Sequence, residues 1–563
     1  MEKIWQKLYV KRVPKTIQFD ETTLPEALTR TASRFPDKPA LIFQGTIVTY
    51  RELEDMVSRF AAALMAMGLR RGGKVSVIMP NLVQTVVAIY GTLRAGGIVV
   101  THNPRNDEMQ LEFQINNAGS EMVVCLDVLV PRLIGMRKRT GVKKIVSCHI
   151  RDYLPFLAKK LFPLVKKELH LKTPVEGNVF EFTEFMESKK PFSRPDHLRK
   201  EDTAFILYTS ATTGKAKGVE LTHANASINV QQLRSWFPGF VDGQEAVVAC
   251  LPFFHVFGLT CALNTGIFYG YAVILVPLPE PKSILEAIHT YKATYVPALP
   301  SWYTGMINDP GLKKYDLKSL KGCFSGASPL PLEIIRSFEK LTGAQICEGY
   351  GLTECSPVSH INPFGGKTKP GTIGLPLPNT EAKIVDVDDH TIEITTPGEP
   401  GELCVKGPQV MKGYINLPET TQATIKDGWL LTGDIVTVDE EGFFTVVNRK
   451  VEMIVSDGQR IFPRELDEVL YSNPKVLDVC AIGVPDSDRG QVIKAFVVLK
   501  KGEQATSQEI IDYCRKKLPP LKTPRVVIFL SELPRTPVGK VLRRELKRLH
   551  LVQSAASHSK QTH

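Results

Sequence analysis

The sequence predicts an α/β fold with a large N-terminal domain of helix-covered parallel sheets, a β-rich subdomain within it, and a small α+β C-terminal domain. Before about residue 371, short apolar runs alternate with amphipathic helical stretches, a pattern typical of parallel sheets covered by helices. From there to residue 447, short alternating strands separated by Gly and Pro turns indicate a β-rich subdomain. The remaining residues mix helices and strands over a length typical of a small domain.

The first helix of this series has both of its ends marked in the sequence. In "TYRELEDMVSRFAAALMAMG", Thr49 and Glu52 form a capping box, apolar residues follow at helical spacing, and Gly68 stops the helix. The next segments predict a strand ("KVSVIMPN"), a helix ("LVQTVVAIYGTLRAGG") and a strand ("IVVTHNP"). Later strands are predicted at "EAVVACLPFFHVFG", "YAVILVP" and "ATYVPALP".

These segments suggest two folded domains and a polar tail. We expect an N-terminal domain at 1–449, with its β-rich part at about 371–447, and a C-terminal domain at 450–550. The tail 551–563 is polar and is expected to be disordered.

Composition excludes several classes of protein. Of the 563 residues, 43% are hydrophobic and 23% are charged, which is ordinary for a globular protein. The net charge of +11 suits anionic ligands or an anionic membrane surface, but no nucleic-acid-binding motif accompanies it. The ten cysteines form no CxxC or zinc spacing and indicate a reducing compartment. Neither a signal peptide nor a transmembrane run is expected.

The stretch "ILYTSATTGKAKGVELTHAN", residues 206–225, has the composition of a phosphate-binding loop. Hydroxyl side chains, glycines and lysines follow an apolar run, and such a loop can surround a polyphosphate with donors and positive charge. It is not a Walker A loop, because Lys215 is followed by Ala216 and position 209 is Thr. On composition alone, a polar surface turn is an equal alternative.

Five spaced blocks give the chain a family resemblance: "YTSATTGKAKGVELTHAN", "GYGLTECSP", "GWLLTGDI", "NRKVEMIVSDGQRIFPRELDEV" and "LPRTPVGKVLRREL". From about residue 25 to about residue 548, the chain resembles the acyl-CoA synthetases of the adenylate-forming superfamily, and within it the fatty-acid–CoA ligases most. The resemblance implies a mobile C-terminal domain and a reaction in two steps. A carboxylic acid and ATP give acyl-AMP and pyrophosphate, and CoA then displaces AMP.

The resemblance also implies a set of site residues. Lys540, Thr353 and Glu354 are the catalytic residues, with Glu354 as the Mg²⁺ ligand; a cation beside polyphosphate keeps waters and needs few carboxylates. In this interpretation, Asp434 accepts hydrogen bonds from the ribose hydroxyls, a role that suits a carboxylate. The complete ATP-binding set is Thr209, Ser210, Thr212, Thr213, Gly214, Lys217, Gly218, Gly326, Ala327, Tyr350, Thr353, Asp434, Arg449 and Lys540.

Further residues are assigned by the resemblance to the acid, the hinge and CoA. His255, Trp302 and Gly326 are expected in the acyl pocket, although a satisfied, partly buried histidine is an equal alternative for His255. Val451 is the hinge residue, and Gly458 lies in the segment that lines the thiol tunnel. The family pattern is not kept everywhere: the departures are Ala211 for Gly, Ala216 for Pro, Val451 for Lys or Asp, Glu452 for Asp, and Asp457 for Gly.

The stretch "DYLPFLAKKLFPLVKKELHLK", residues 152–172, is basic and amphipathic. Such a segment can lie on an anionic membrane surface, or it can be a solvated helix packed on the domain. Pro163 is expected to interrupt it. We expect a cytoplasmic protein; peripheral contact with the inner membrane face through this segment is the alternative to a solvated helix packed on the domain.

The sequence thus predicts an AMP-forming fatty-acid–CoA ligase whose partners are ATP, CoA, Mg²⁺ and a medium- to long-chain acid, without nucleic acid. Three alternatives remain open: an aryl- or alicyclic-acid–CoA ligase, a fatty-acyl-AMP ligase that loads a carrier protein, and a non-catalytic lipid-binding paralogue. The sequence leaves open whether the protein is a monomer or a homodimer.

Overall fold

The structure is a computed structural model, and it describes residues 3–165, 171, 177–187, 198–209, 216–457, 459–486, 489–535 and 541–550. The predicted tail at 551–563 lies outside these residues. None of the helices in the described ranges has both the length and the apolar character needed to cross a bilayer.

Helices are spread along the whole chain. In chain order they are α1 (Leu24–Arg34), α2 (Tyr50–Ala66), α3 (Val83–Arg94), α4 (Glu108–Ala118), α5 (Val130–Met136), α6 (Phe156–Val165), α7 (Phe182–Glu187), α8 (His223–Trp236), α9 (Val256–Gly258), α10 (Thr265–Tyr269), α11 (Pro281–Tyr291), α12 (Pro300–Ile307), α13 (Leu332–Thr342), α14 (Pro418–Thr424), α15 (Pro463–Tyr471) and α16 (Ser507–Arg515). Residues 543–550 are also helical.

The strands fall into two large sheets, one antiparallel sheet and two small sheets. In chain order they are β1 (Pro39–Phe43), β2 (Thr46–Thr49), β3 (Lys74–Ile78), β4 (Ile98–Thr101), β5 (Met122–Leu126), β6 (Lys144–Cys148), β7 (Val179–Glu181), β8 (Thr203–Tyr208), β9 (Gly218–Thr222), β10 (Ala246–Ala249), β11 (Ala272–Leu275), β12 (Tyr295–Ala298), β13 (Gly322–Ser325), β14 (Gln345–Gly351), β15 (Val358–Ile361), β16 (Leu375–Pro376), β17 (Glu381–Val385), β18 (Glu393–Ile394), β19 (Gly401–Lys406), β20 (Gly413–Tyr414), β21 (Ile425–Lys426), β22 (Trp429–Val438), β23 (Phe444–Arg449), β24 (Ile454–Ser456), β25 (Gln459–Ile461), β26 (Val476–Asp486), β27 (Gly490–Leu499) and β28 (Val526–Phe529).

The two large sheets have parallel centres, as the alternation of strands and helices predicts. One has the order β20-β9-β8-β4-β3-β5-β6-β7 and is parallel from β8 to β7. The other has the order β16-β15-β14-β13-β12-β10-β11-β1-β2 and is parallel from β14 to β1. Asn81 joins them, because its buried side chain after β3 donates to the carbonyls of Ala249, the last residue of β10, and of Leu251. The α/β fold class is confirmed.

Helix α2 shows how local sequence sets an element. Thr49 and Glu52 form the predicted capping box, with Glu52 accepting from the Thr49 amide at 2.7 Å. The helix ends before Gly68, whose φ of +89° is left-handed and is adopted readily by glycine. Its apolar face is fully buried, with Leu53 and Phe60 at 0% exposed, so the predicted amphipathic helix is confirmed.

The β-rich part is an antiparallel sheet from which one short segment, β20, leaves to join the first large sheet. Its order is β18-β17-β19-β22-β21, with β23 paired to β22. Between β19 and β21, the chain leaves this sheet and adds β20 to the edge strand β9 of the first large sheet, with Tyr414 opposite Val219. This excursion places a residue of the β-rich part beside the end of the predicted phosphate loop.

The segment after β23 forms a smaller α+β unit. Strands β24 and β25 form a hairpin, and β26, β27 and β28 form a sheet with α15 and α16 against it. The apolar side chains of these elements, including Ile454, Leu466 and Phe496, are buried. The domain boundary near Arg449–Val451 stays a prediction.

One expectation about the basic segment is wrong. Helix α6 runs from Phe156 to Val165 and therefore passes through Pro163 instead of ending before it. A proline removes its own amide donor, but near a helix end the loss affects few hydrogen bonds. Residues 166–170 and 172 of the predicted segment lie outside the described residues.

Candidate functional site

The predicted phosphate loop connects two strands that pair with each other. Strand β8 ends at Tyr208 and β9 begins at Gly218, directly opposite it. The Thr209 amide donates to the Lys217 carbonyl at 3.0 Å and extends this ladder into the loop. A Cβ atom at Gly218 would lie 2.7 Å from the side chain of Ile415, the residue after β20, which would have to shift to admit it. The predicted residues Ser210, Thr212, Thr213 and Gly214 lie outside the described residues.

Lys217 and Glu354 both contact one tyrosine, Tyr414. The Lys217 Nζ lies 4.5 Å from the centre of the Tyr414 ring, a cation–π distance. The Tyr414 hydroxyl donates to Glu354 Oε1 at 2.7 Å. Burial, and then the charge of Glu354, raise the pKa of Tyr414 well above its usual range, so the hydroxyl remains a donor. The structure therefore brings two predicted residues of different blocks together through a third.

Tyr414 was missed in the sequence because no local signal marks it. It lies in "MKGYIN" between the second and third of the five sequence blocks, and the pairing of β20 with β9 brings it to the site. An aromatic residue next to glycine is too common a pattern to indicate a function.

Thr353 and Glu354 follow the end of β14 in a single helical turn, Thr353–Cys355. The carbonyl of Glu354 accepts from the Met411 amide at 2.8 Å, which fixes this turn against the segment before β20. The Glu354 side chain is half-buried, and its Oε2 atom is not bonded to any residue that the structure describes.

This arrangement fits Mg²⁺ bound together with a polyphosphate. No cluster of three potential metal-ligating His, Cys, Asp or Glu side chains occurs within the described ranges. A magnesium ion that is held by phosphate oxygens and water needs only one or two protein carboxylates, and Glu354 offers one oxygen.

Tyr350, Asp434 and Arg449 form a hydrogen-bonded cluster. The Tyr350 hydroxyl donates to Asp434 Oδ2 at 2.5 Å, and Arg449 Nε lies 2.6 Å from Asp434 Oδ1. Asp434 and Arg449 are direct neighbours across β22 and β23, so the antiparallel register brings the acid and the base together. Asp434 is 2% exposed, and its charge is balanced by a guanidinium whose pKa it raises.

The loop after β13 contributes Gly326 and Ala327. A side chain at Gly326 would lie 3.1 Å from the Phe257 ring and 3.6 Å from the Gly349 carbonyl, one residue before Tyr350. The loop therefore runs along β14 beside the Tyr350 cluster. Ala327 has a φ of +75°, an uncommon conformation for a residue with a side chain.

His255 is neutral and serves as a helix cap. Its Nδ1 accepts from the Phe257 amide at 3.2 Å, and burial lowers its pKa to about 4. Phe257, the residue it caps, is the ring that closes over Gly326, so two of the three predicted pocket residues share one neighbour. Trp302 lies half-buried on α12 and packs against the two large apolar cores. The assignment of all three residues to an acyl pocket stays a prediction.

The predicted hinge lies in a short 3₁₀ turn, Lys450–Glu452, directly after Arg449. Val451 is 50% exposed. Asp457, at the tip of the β24–β25 hairpin, has a left-handed φ of +49°, the conformation for which glycine is the usual residue. Gly458 and Lys540 lie outside the described residues, so their predicted roles remain predictions.

Comparison with known proteins gives consistent results along the chain. The AMP-binding enzyme family model matches residues 28–415, and the model of the AMP-binding enzyme C-terminal domain matches residues 465–540. The long-chain-fatty-acid–CoA ligase of Bacillus subtilis strain 168 is 43% identical over 552 residues, which cover 97% of this chain and 98% of that protein. The protein of the same name from Escherichia coli O6:H1 is 37% identical, with the same coverage.

Among solved structures, the ATP-bound MatB of Rhodopseudomonas palustris superposes with a TM-score of 0.82 at 27% identity. The match covers 94% of this chain and 99% of that one.

Proposed function

The chain belongs to the AMP-binding enzyme family, and on this premise we propose that it activates a medium- or long-chain fatty acid with ATP and transfers the acyl group to CoA. The observation that carries the proposal is the 43% identity to a long-chain-fatty-acid–CoA ligase over 97% of this chain. The likeness extends over both matched family domains, so it includes the region of each predicted catalytic block.

In the first step, a carboxylate oxygen of the acid attacks the α-phosphorus of ATP. An acyl–phosphate bond forms, the bond to the β-phosphate oxygen breaks, and pyrophosphate leaves. Negative charge increases around the α-phosphate, and we assign its stabilisation to the Lys540 ammonium. Thr353 contributes a hydroxyl donor to the same group.

The β- and γ-phosphates are assigned to the loop between β8 and β9. Lys217 supplies positive charge there, and it lies over the ring of Tyr414, whose hydroxyl bonds to Glu354. Glu354 would hold Mg²⁺, which would neutralise phosphate charge while bound. Tyr414 thus sets the separation between the cationic and the acidic contact of the polyphosphate.

The nucleoside is assigned to the Tyr350 cluster. The ribose hydroxyls donate to Asp434, and the Tyr350 ring packs against adenine. Both oxygens of Asp434 already accept hydrogen bonds from protein groups, so the ribose must share or replace one of these partners.

In the second step, the CoA thiolate attacks the acyl carbonyl, a thioester forms, and AMP leaves with the bond electrons. The segment that contains Gly458 is assigned to the thiol tunnel. The second step needs different groups near the adenylate from those of the first step. In this proposal, the C-terminal part therefore rotates about Val451 between the two steps.

We predict that palmitate and oleate are preferred to benzoate. Their kcat/KM for acyl-CoA formation should exceed that for benzoate at least about 10²-fold, because each buried methylene adds about 0.8 kcal/mol of binding energy. The assay measures CoA thioester formation with purified protein over acids from acetate to oleate, with benzoate and cyclohexane carboxylate included.

A preference for benzoate or the cyclic acid would contradict the fatty-acid assignment and favour the aryl or alicyclic alternative. AMP release that depends on a carrier protein and not on CoA would favour the carrier-loading alternative. If no acid gave pyrophosphate release, the chain would be a non-catalytic paralogue.

We further infer that the enzyme is cytoplasmic and meets the anionic inner membrane face through α6. All ten cysteines are free and buried, as in a reducing compartment. On α6, the apolar side chains of Phe156, Leu157 and Leu161 are 68%, 73% and 55% exposed. The exposed Lys160 lies beside them, with its Nζ 4.3 Å from the Phe156 ring. Apolar and cationic groups side by side fit an anionic bilayer, into which fatty acids partition.

Removing the apolar contacts should abolish binding to vesicles. Phe156→Ser with Leu157→Ser is expected to prevent sedimentation with phosphatidylglycerol-containing vesicles, whereas the wild type sediments and dissociates at high salt. Leu278→Ser is the matched control, because Leu278 is also exposed (60%) but lies far along the chain from α6. Equal sedimentation of the double variant and the wild type would exclude α6 as the contact.

A further inference from the structure

Lys450, directly before the predicted hinge residue, is anchored in the β-rich sheet. Its Nζ donates to Glu402 Oε2 at 2.8 Å and to the Val387 carbonyl at 2.7 Å. Glu402 lies on β19 and is 3% exposed. An ion pair that contains a buried carboxylate is costly to break, because removing the cationic partner leaves an uncompensated buried charge.

The same carboxylate also holds the strand that contains Asp434. Glu402 Oε1 accepts from the Gly433 amide at 3.0 Å, one residue before the predicted ribose ligand. His390 Nε2 lies 3.1 Å from Glu402 Oε2 and is a further polar neighbour of this carboxylate. Glu402 therefore links the position of Asp434 to that of Lys450, although Glu402 itself lies outside the five sequence blocks that carry the family resemblance.

Glu452, directly after the hinge residue, is anchored in the C-terminal unit instead. Its Oε2 accepts from Arg543 Nη1 at 2.6 Å, and Arg543 Nη2 donates to Asp467 Oδ2 at 2.5 Å. Asp467, on α15, also accepts from the Ala481 amide of β26 at 2.7 Å. The three ionic side chains are between 10% and 21% exposed, so this second ion-pair network is also largely buried.

Polar contacts also cross between the two parts. The ion pair between Arg460 and Asp388 joins them on the surface, with 39% and 77% of these side chains exposed, and Arg464 Nη1 donates to the Val446 carbonyl at 2.5 Å. Exposed ion pairs contribute little to stability, whereas removing one partner of a buried carboxylate or guanidinium is strongly destabilising. A rotation would therefore break these crossing contacts and keep the two networks that flank Val451.

We propose that the ion pairs Lys450–Glu402 and Glu452–Arg543 clamp the chain on both sides of Val451 and confine the rotation between the two parts to this single residue. Glu402 and Arg543 are then positioning residues of the two-step reaction, on which this inference rests. A hinge that is limited to few residues gives each part a defined orientation in both steps. A hinge that extends over more residues would allow more relative orientations of the two parts, and a smaller fraction of them would be productive.

The clamp can be tested by distance measurements that do not require catalysis. Spin labels at Glu419→Cys and Lys501→Cys, both exposed positions, report the distance between the two parts, and the ten native cysteines are buried. Without ligands, the wild type should give a narrow distance distribution. Glu402→Gln and Glu452→Gln should each broaden it, and Lys450→Gln provides a milder second test of the first pair.

Two controls separate the clamp from general destabilisation. Lys450→Arg keeps the positive charge and, unlike Lys450→Gln, should give a distance distribution as narrow as that of the wild type. Asp388→Asn removes only the crossing pair and should shift the mean distance without broadening it. In the CoA-dependent half-reaction, the Gln variants should lose about 10-fold to 100-fold in kcat, with the KM for the fatty acid unchanged.

Unchanged widths of the distance distribution in all three Gln variants would overturn the clamp. A distribution for Lys450→Arg as broad as that for Lys450→Gln would overturn it too. A protein that shows the predicted widths but makes no acyl-CoA would retain the clamp and refute the proposed function, so the two failures are distinguishable.

Discussion

Replacing Lys540 by alanine is expected to lower the rate of acyl-AMP formation about 10²–10³-fold, the usual contribution of one positioned electrostatic group. In this step a carboxylate approaches a phosphate, and the ammonium offsets the repulsion between them. Thiolate attack on preformed acyl-AMP does not need that ammonium in the same place, so this step should keep much of its rate. The two half-reactions are measured separately, as pyrophosphate release and as acyl-CoA formation from acyl-AMP.

Lys547→Ala is the matched control, because Lys547 is an exposed lysine of the same C-terminal segment. It should leave both half-reactions unchanged. Equal losses in the two half-reactions of Lys540→Ala would mean that Lys540 serves both steps or supports the fold. Full retention of adenylation would remove Lys540 from the mechanism.

Asp434→Ala should weaken ATP binding strongly. A hydrogen bond to a charged group contributes about 1.5–3 kcal/mol, and this change removes the acceptor of the ribose hydroxyls. We therefore expect the dissociation constant for ATP to rise about 10-fold to 100-fold, with little change in the KM for the fatty acid. Isothermal titration with ATP and initial-rate kinetics measure the two quantities.

The structure adds a consequence for Arg449 and Tyr350. Both lose their partner in Asp434→Ala, because each bonds to one oxygen of this carboxylate. Asp434→Asn keeps one carbonyl acceptor and should weaken ATP binding less. Unchanged ATP affinity in Asp434→Ala, with a folded protein by thermal unfolding, would place the ribose elsewhere.

Local signals predicted the fold well. The capping box at Thr49 and Glu52 and the stop at Gly68 set α2 without reference to the rest of the chain. The alternation of strands and helices was sufficient to predict the parallel sheets, because it too can be recognised without reference to distant parts of the chain. Pro163 was predicted to interrupt α6 on a local rule, and the helix passes through it.

The candidate site was predictable only in part. Tyr350, Asp434 and Arg449 were named from a family resemblance, and their contact depends on a strand register that no local pattern encodes. Tyr414 reaches Glu354 because β20 leaves the β-rich sheet to pair with β9. Glu402 lies in an ordinary strand, and its role depends on buried partners far along the chain at Gly433 and Lys450.

The product balance of the palmitate reaction tests the central claim most directly, namely that the chain activates a fatty acid through acyl-AMP. Purified protein is supplied with palmitate, ATP and CoA, and the acyl-CoA, AMP and pyrophosphate formed are quantified together. The account predicts equal amounts of the three products, and palmitate-dependent pyrophosphate release before CoA is added. Formation of ADP and phosphate, or acyl-AMP that CoA does not consume, would contradict it.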